Sequence, residues 1–338
     1  MKALVTGGGG FLGGAIVRQL RERGDVVRTF SRGAYPELER QGVDVRCGDL
    51  ADADAVSQAV KDCDCVFHVA AKAGVWGPRS AYQRANVTGT ENVLAACQRH
   101  GVPRLVFTSS PSIVFDGKDM EGVDESAPYA EHFETHYPHT KMLAERAVLA
   151  ANSPTLATVA LRPHLIWGPG DNHLVPRILE KGRRGQLRRI GKDNKLIDSV
   201  YIDDAARAHL LAADRLRCEP GANKGGAAPA GKAYFITQGE PVPLWDLVNR
   251  ILDAAGLPPV TRSVHRQVAY AAGWVLESVH RTLRLKSEPR MTRFVARELS
   301  TAHWFDISAA KRDLGYEPSL TIDKGMERLG AALRESKS

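Results

Sequence analysis

Cysteine is scarce in this chain, and no group of cysteines has the spacing of a metal site. The 338 residues include five cysteines, an odd number. Cys63 and Cys65 form one close pair, and no second Cys or His pair accompanies them at zinc-binding spacing. We therefore expect reduced thiols, as in a cytoplasmic protein, and no metal ion.

We expect neither a leader segment nor a membrane span, and no nucleic-acid-binding motif is recognisable. A strand-like pattern begins at Lys2, so we expect no signal or transit peptide before it. The net charge of +7 is spread along the chain, with one local run of cations from Lys181 to Lys195. That run is either a solvated surface or a site that attracts an anionic substrate or partner. Without a recognisable motif we expect no nucleic-acid partner.

Glycine, in contrast, is concentrated near the N-terminus. An apolar run over 2–5, four consecutive glycines and an apolar helical pattern over 15–20 predict a strand, a turn and a helix. Two sets of glycines fit the spacing of a dinucleotide-binding turn, Gly7 with Gly10 and Gly13, and Gly8 with Gly10 and Gly13. Such a turn needs positive φ and a close approach of the backbone to phosphate. The free N–H groups at the helix start would then hold a pyrophosphate.

Strands and helices alternate through the first half of the chain. This alternation predicts a doubly wound parallel sheet covered by helices on both faces, an α/β fold. The predicted strands after the first are 26–30, 43–47, 65–69, 104–108, 157–161 and 233–236, and the predicted helices are 53–60, 87–99, 141–151 and 244–255.

After Pro163 the pattern loosens, and a smaller, mostly helical C-terminal domain is predicted. Residues 171–197 look basic and helical, and 219–231 is a Gly/Ala/Pro-rich surface excursion. The stretch 264–283 has helical apolar spacing but is too polar to span a bilayer. It is either a core-facing helix of the second domain or a helix that touches a membrane surface or a partner protein.

A tyrosine and a lysine stand four residues apart at Tyr137 and Lys141, on one face of a predicted helix. Lowering a tyrosine pKa by roughly three, to near neutrality, takes about 4 kcal/mol. An ammonium about 4 Å away supplies roughly that amount at an effective dielectric near 20. The pair therefore predicts an acid/base device in which Lys141 lowers the Tyr137 pKa. Ser110 or Ser109, after the strand 104–108, would face the same crevice and donate to a substrate carbonyl.

These motifs together resemble the extended short-chain dehydrogenases/reductases, from Met1 to the closing segment 313–318. The segments that carry the resemblance are Thr6–Gly13, His68–Ala71, Thr108–Ser110, Tyr137–Lys141 and Leu161–Gly170. The resemblance implies a Rossmann domain over 1–170, completed by about 198–238, and a substrate-binding cap from 171–197 and 239–330. It implies Tyr137 as the general acid/base, Lys141 as a ribose ligand, Ser110 as the carbonyl-orienting group and Asn86 as a support. It also implies that the protein is a homodimer. Of the two sets of glycines, it favours Gly7, Gly10 and Gly13 as the dinucleotide-binding turn.

The resemblance further implies a set of residues that contact the nicotinamide cofactor. They are Gly7, Gly10, Phe11, Leu12, Gly13, Ser31, Arg32, Asp49, Leu50, Ala70, Ala71, Lys72, Tyr137, Lys141 and Pro163. An NAD site typically has a carboxylate directly after the second strand. Here no Asp or Glu occurs between the end of that strand and Glu37. Arg32 would pair with a 2′-phosphate and Ser31 would donate a hydroxyl bond, which favours NADP(H). A solvated Arg32 beside a dual-specificity site is the alternative.

Within that family the chain is similar to the 3β-hydroxysteroid and sterol-4-carboxylate dehydrogenase branch, and within it most to the bacterial 2-alkyl-3-oxoalkanoate reductases of olefin biosynthesis. The resemblance implies an NADPH-dependent ketoreductase acting on a long-chain acyl substrate, in contact with olefin-pathway enzymes. Lys72 is a hypothesis for the contact to the substrate carboxylate, with a solvated loop lysine as the alternative. An apolar cap that includes Trp274 would hold the alkyl chains. The alternatives are an NAD-linked sterol dehydrogenase and a non-catalytic NADP-sensing or scaffold protein.

Overall fold

The computed structural model describes residues 1–217, 229–285 and 287–335. Most of the predicted surface excursion over 219–231 therefore lies outside the described residues. The strands are β1 (Lys2–Thr6), β2 (Val26–Ser31), β3 (Asp44–Cys47), β4 (Cys65–His68), β5 (Arg104–Thr108), β6 (Met120–Val123), β7 (Ala157–Pro163), β8 (Ile166–Trp167), β9 (Arg189–Ile190), β10 (Leu196–Ile197), β11 (Val200–Tyr201), β12 (Lys232–Ile236), β13 (Val242–Pro243), β14 (Ser263–Val264) and β15 (His303–Phe305).

Helices connect most of these strands. They are α1 (Phe11–Glu22), α2 (Pro36–Arg40), α3 (Ala53–Val60), α4 (Arg79–Tyr82), α5 (Gly89–His100), α6 (His136–Ala150), α7 (Leu174–Arg183), α8 (Ile202–Arg215), α9 (Leu244–Ala254), α10 (Arg266–Thr282), α11 (Arg293–Glu298), α12 (Ser308–Leu314) and α13 (Ile322–Glu335). A π-helical turn, Gln83–Thr88, joins α4 to α5, and Pro111–Ile113 is a 3₁₀ turn.

Seven strands form one parallel sheet in the order β12-β7-β5-β4-β1-β2-β3. Successive residues of β1 pack into different cores, since Ala3 and Val5 contact one apolar cluster and Leu4 the other. Helix α1 packs beside α8, and α3 and α6 pack against α5. The predicted doubly wound α/β fold is confirmed, and its crevice lies where the chain leaves the carboxyl ends of the strands.

The C-terminal part combines helices with small sheets. One sheet has the order β13-β10-β15-β6, and β8 with β11 and β9 with β14 form two further pairs. The prediction of a continuous helix over 171–197 is wrong beyond Arg183, because the left-handed Gly185 (φ 59°) follows and the chain then enters β9 and β10. Strand β6 lies inside the predicted Rossmann range yet pairs with β15, and the domain limits stay a prediction.

Helix α6 begins at His136, five residues before the predicted start. Pro138 sits in its first turn, where a missing N–H removes no helical hydrogen bond. Tyr137 therefore lies at the helix start and Lys141 one turn further on. This places the half-buried tyrosine in the cavity lining and the lysine inside the protein.

Candidate active site

A cavity of about 830 Å³ lies at the carboxyl ends of the parallel strands. The predicted residues that line it are Gly7, Gly10, Phe11, Leu12, Gly13, Ser31, Arg32, Asp49, Leu50, Ala70, Ala71, Lys72 and Tyr137. Lys141 and Ser110 stand next to the cavity and are not part of its lining, and neither is Pro163 at the end of β7. The structure thus brings most of the predicted cofactor residues to one crevice.

The turn between β1 and α1 is sterically restricted to glycine. Gly7 has φ 72°, its N–H donates to the carbonyl of Phe30, and its own carbonyl accepts from Gly10 N–H at 2.8 Å. A Cβ on Gly13 would lie 2.2 Å from the Gly7 carbonyl oxygen. Helix α1 has no side-chain cap and no acidic residue in its first turn, so its N-terminal N–H groups are available to an anion.

A chain of hydrogen bonds connects this turn to the start of the helix that carries Tyr137. Thr6 Oγ1 accepts from the N–H groups of Val69 and Ala70 and lies 2.9 Å from His68 Nδ1, so its single proton points to that nitrogen. His68 Nε2 then donates to Thr90 Oγ1, which donates to the Asn86 carbonyl. Burial lowers the pKa of His68 to about 3, and the ring is therefore neutral at neutral pH.

Asn86 holds the loop after β4 against α6. Its Oδ1 accepts from the backbone N–H of Lys72 at 2.7 Å, and its Nδ2 donates to the Lys72 carbonyl and to Thr140 Oγ1. Thr140 precedes Lys141 on α6. The amide therefore fixes the position of Lys72 relative to the helix of the Tyr137–Lys141 pair.

Tyr137 is held as a neutral phenol. Burial raises its pKa, and the hydroxyl of Ser110 lowers it in part. Ser110 Oγ lies 2.8 Å from Ser112 Oγ, while the neighbouring Ser109 hydroxyl is buried without a hydrogen-bond partner. Of the two serines, Ser110 is the one that acts on the phenol.

Lys141 does not lower the tyrosine pKa in this arrangement, and that part of the sequence prediction is wrong. Its ammonium donates to the Thr108 carbonyl at 2.5 Å and lies over the Phe107 ring, 4.0 Å from the centroid. Burial lowers the pKa of Lys141 itself to about 7. The sequence argument assumed an ammonium beside the phenol in a medium of intermediate dielectric, and the fold instead buries the lysine against a backbone carbonyl.

Charge and polarity change at the far end of the cavity, after β2. The Ser31 hydroxyl is buried and has no hydrogen-bond partner, and Arg32 is exposed with no hydrogen bond or ion pair to the described residues. Asp49 is instead paired with Arg84 at 3.1 Å, and the Ala51 N–H and Arg84 hold its pKa below the usual range. Arg32, which makes no ion pair with the described residues, and the Ser31 hydroxyl, which makes no hydrogen bond, therefore face the same corner.

Lys72 lies in the middle of the cavity. It is half-buried, and its ammonium lies 5.0 Å from the centroid of the Tyr82 ring. The Tyr82 hydroxyl donates to the carbonyls of Gly74 and Trp76 and so shapes the loop beside it. The structure gives Lys72 no carboxylate partner among the described residues.

Sequence reasoning missed several lining residues. They are Phe30, Gly33, Tyr35, Gly48, Val69, Ala73, Ala81, Arg84, Ala85, Thr108, Leu165, Ile166, Asp171, His173 and Leu174. The members after Leu161 lie in or just beyond the segment that carried the resemblance and could have been included. Tyr35 could not, because its ring reaches the cavity by packing over Gly9, where a Cβ would lie 2.0 Å from it.

The prediction that Trp274 belongs to an apolar cap over the site is wrong. Its side chain is 57% exposed on the outer face of α10, and it does not line the cavity. The inward side of that helix is taken by Ala269, Gly273 and Glu277. Within the described ranges no His, Cys, Asp or Glu cluster could hold a metal ion, and no helix is long and apolar enough to cross a membrane.

These observations fit a nicotinamide dinucleotide. The glycine turn leaves room that a Cβ at Gly7 would fill, 3.0 Å from Ala70 Cα. The uncapped α1 N-terminus suits a pyrophosphate, and the orphaned Ser31 hydroxyl suits a ribose or phosphate oxygen. The cavity of about 830 Å³ runs from that corner to Tyr137, which matches a ligand that joins two nucleotides.

Comparison with known proteins gives a consistent picture. Residues 4–265 match the 3-beta hydroxysteroid dehydrogenase/isomerase family. A 2-alkyl-3-oxoalkanoate reductase of Shewanella oneidensis is 51% identical over 98% of this chain and 86% of its own length. The enzyme of the same name from Stenotrophomonas maltophilia is 50% identical over 98% of this chain and 99% of its own. The mouse sterol-4-alpha-carboxylate 3-dehydrogenase, decarboxylating, is 34% identical over 97% of this chain and 89% of its own.

Solved structures show the same architecture. MoeE5 in complex with UDP-glucose and NAD superimposes with a TM-score of 0.75 and 25% identity over the whole of both chains. A UDP-glucose 4-epimerase from Thermotoga maritima, 21% identical, has a TM-score of 0.76 over the whole of both chains and shares the fold.

Proposed function

Since the chain belongs to the 3-beta hydroxysteroid dehydrogenase/isomerase family, we propose that it reduces a 2-alkyl-3-oxoalkanoate to the 2-alkyl-3-hydroxyalkanoate with NADPH. The chain is an oxidoreductase that acts on a carbonyl or hydroxyl group with a nicotinamide cofactor. The observation that carries the proposal is the 50–51% identity, over nearly the full length, to two bacterial reductases of that name.

Tyr137 is our choice for the proton donor of the reduction. When bound, the nicotinamide supplies a hydride to the carbonyl carbon. The reaction then needs a proton at the carbonyl oxygen, and a phenol whose pKa is raised by burial carries that proton at neutral pH. Ser110, which already acts on the phenol, orients the carbonyl oxygen and shares the developing charge.

Lys141 is assigned to the ribose of the cofactor, as the resemblance implies. Its ammonium is 2% exposed and has a pKa of about 7, so a hydroxyl or carbonyl partner stabilises the charged form. Thr108, whose carbonyl accepts from it, lines the cavity. This gives Lys141 a fixed position from which to reach a ligand.

The corner after β2 supports NADPH as the form of the cofactor. A 2′-phosphate adds two negative charges and acceptor oxygens. Among the described residues Arg32 makes no ion pair there and the Ser31 hydroxyl makes no hydrogen bond. A ribose without the phosphate would instead favour a carboxylate, and Asp49 is already occupied by Arg84. Both facts support NADPH over NADH.

The substrate carries a carboxylate next to its keto group, and Lys72 is our choice for the residue that binds it. Lys72 lines the cavity together with Tyr137 and has no acidic partner among the described residues. An anionic substrate bound beside this half-buried ammonium would form a charge-assisted hydrogen bond with it. For the cellular location we propose the cytoplasm, supported by free thiols at Cys47, Cys63, Cys65 and Cys97.

The second candidate is a sterol-4-carboxylate or 3β-hydroxysteroid dehydrogenase, favoured by the family match and by the 34% identity to the mouse enzyme. That reaction runs in the oxidative direction and needs the phenolate. Its support is weaker, because the identity to the mouse enzyme is 34%, against 50–51% to the two bacterial reductases.

An NADPH-oxidation assay separates these candidates. A long-chain 2-alkyl-3-oxo acid, a 3-ketosteroid and a UDP-sugar are compared with NADPH and with NADH, and Tyr137→Phe serves as the inactive control. We expect turnover of the keto acid with NADPH and a loss of at least about a hundredfold in kcat in the variant. Preferential turnover of the 3-ketosteroid with NADH would overturn the proposal.

A further inference from the structure

Helix α10 presents its apolar side chains to solvent. Among the large hydrophobic residues that are exposed in the described chain, six fall between residues 268 and 285 and two lie elsewhere. The six are Val268 (57%), Trp274 (57%), Val275 (49%), Val279 (42%), Leu283 (63%) and Leu285 (41%). The valines at 268, 275 and 279 and the leucine at 283 follow helical spacing and form one stripe, the α10 outer face.

The inward side of the same helix explains why this stripe faces outward. It consists of Ala269, Gly273 and Glu277. A Cβ on Gly273 would lie 2.7 Å from the Thr292 backbone, so the helix is pressed directly against that segment. Glu277 accepts from the backbone N–H and the guanidinium of Arg293, and it also pairs with Arg281. A surface helix ordinarily has the opposite arrangement, with apolar residues inward and carboxylates outward.

Cations surround the α10 outer face. Residues 262–290 contain five arginines and one lysine against two glutamates. Glu277 is buried in its pairs with Arg281 and Arg293, and Glu288 pairs with Arg177. At the start of the helix, Arg266 and Gln267 line a second cavity with Lys118, Lys195 and Arg297, in which Asp119 is the one acidic lining residue. Lys118, Lys195 and Arg297 are paired with acidic residues. The positive charge of the rim therefore comes from the arginines without an ion pair to the described residues, which are Arg262, Arg266, Arg284 and Arg290.

From this geometry we infer that the α10 outer face is a docking surface for a membrane that contains anionic lipids. An apolar stripe, an exposed tryptophan and a cationic rim are the combination by which helices lie in a lipid interface. Valine and leucine enter the acyl boundary, Trp274 sits at headgroup level, and the arginines contact lipid phosphates. This inference does not depend on the proposed substrate.

The docking surface adjoins the rim of the active-site cavity. Trp76 Nε1 donates to the Leu285 carbonyl at 3.4 Å, and the Trp76 ring meets His280 edge-on at 5.9 Å between centroids. Trp76 belongs to the same loop as Ala71, Lys72 and Ala73, which line the cavity. A membrane-embedded acyl chain would therefore approach the loop that carries Lys72.

Vesicle sedimentation of the full chain tests this inference. With vesicles of phosphatidylcholine and phosphatidylglycerol we expect binding that weakens with salt and is lost with phosphatidylcholine alone. The double variant Val275→Asp with Val279→Asp should weaken binding by about tenfold or more. Val26→Asp, at an equally exposed valine (62%) on β2, is the matched control and should bind like the unsubstituted chain.

A second readout covers the case of a misfolded double variant. Tryptophan emission of the unsubstituted chain should shift to the blue on vesicle binding, and Trp274→Phe should lose most of that shift. No sedimentation with anionic vesicles would overturn the inference, as would a concentration-dependent dimer that the double variant abolishes while vesicle binding is unchanged. Turnover of a short-chain, water-soluble keto acid by the double variant reports on the proposed function separately.

Discussion

Arg32 makes no ion pair with the described residues, and its role can be tested by removing its charge. We expect Arg32→Ala to raise the KM for NADPH by about 10- to 100-fold, since a charge-assisted hydrogen bond contributes about 1.5–3 kcal/mol. The KM for NADH should change little, because that cofactor lacks the 2′-phosphate. Steady-state kinetics with both cofactors measures the difference.

Arg40→Ala is the matched control for this substitution. Arg40 lies on α2, is 74% exposed at its side chain and pairs with Glu37. It removes the same charge outside the cavity lining, so both constants should stay unchanged. Equal losses for NADPH and NADH in Arg32→Ala would contradict specific recognition of the phosphate.

Lys72 offers a second test at the residue scale. Lys72→Met keeps the length of the side chain and removes the charge, and we expect the KM for the keto acid to rise about tenfold or more. If Lys72 instead binds the cofactor, as the family resemblance also implies, the KM for NADPH rises. Lys61→Met, at an exposed lysine after α3, is the control. An unchanged KM for both ligands would show that Lys72 is a solvated loop lysine.

The sequence could not show which atoms each side chain of the site contacts. The residue types at Tyr137, Lys141 and Ser110 could be read from their spacing, but the Lys141 ammonium lies against the Thr108 carbonyl from another strand. That contact spans 33 positions in the chain and depends on how far α6 sits from β5. Local spacing carries no information about that distance, so the predicted pKa of Tyr137 had the wrong direction.

At the scale of elements, the turn into α1 can be tested by two neighbouring glycines. A Cβ on Gly13 would lie 2.2 Å from the Gly7 carbonyl oxygen, whereas one on Gly14 would lie 3.5 Å from the Gly8 carbonyl oxygen, an ordinary contact. We expect Gly13→Ala to lower the free energy of unfolding by about 1–3 kcal/mol through overpacking and to abolish dinucleotide binding.

Gly14→Ala is its matched control on the same helix. It should be neutral or stabilise the protein by about 0.5–1 kcal/mol, because alanine is the better helix former. Urea unfolding and NADPH fluorescence titration measure both variants. Similar losses in the two variants would contradict the view that the Gly7–Gly13 contact sets the turn.

The elements themselves differ in how well the sequence predicts them. The parallel sheet was predicted correctly from the glycine turn and from apolar strands that alternate with helices along the chain. Each buried strand is recognisable because it is a continuous apolar run. The limits of α10 were also nearly correct. Its orientation could not be predicted, because it depends on the pairing of Glu277 with Arg293 and on the close approach at Gly273, both long-range contacts.

At the scale of the whole molecule, buried histidines predict a loss of stability in mild acid. Burial lowers the pKa of His68 to about 3, of His209 to about 4 and of His303 to about 3, from an ordinary value of 6.5. Between these values the unfolded chain binds more protons, so stability falls as the pH falls below 6.5. Glu298 acts in the opposite direction, since burial raises its pKa to about 8.

From pH 6.5 to 5 the three histidines together should remove about 5 kcal/mol and the glutamate should return about 2 kcal/mol, which leaves a net loss of about 3 kcal/mol. Urea unfolding at a series of pH values measures this slope. His209→Gln should make the slope shallower, because one titrating group is removed. A free energy of unfolding that is constant from pH 6.5 to 5 would contradict the burial of these rings.

The strand order β12-β7-β5-β4-β1-β2-β3 has a consequence for the way the protein is made. During synthesis β1, β2 and β3 appear first and form one side of the sheet, and β4, β5, β7 and β12 then follow outward on the other side in the order of their translation. Each strand that leaves the ribosome therefore finds its neighbour already present. Until Ile236 has been translated, β7 is the edge strand on the growing side of the sheet, and its unpaired backbone groups are where a chaperone would bind during synthesis.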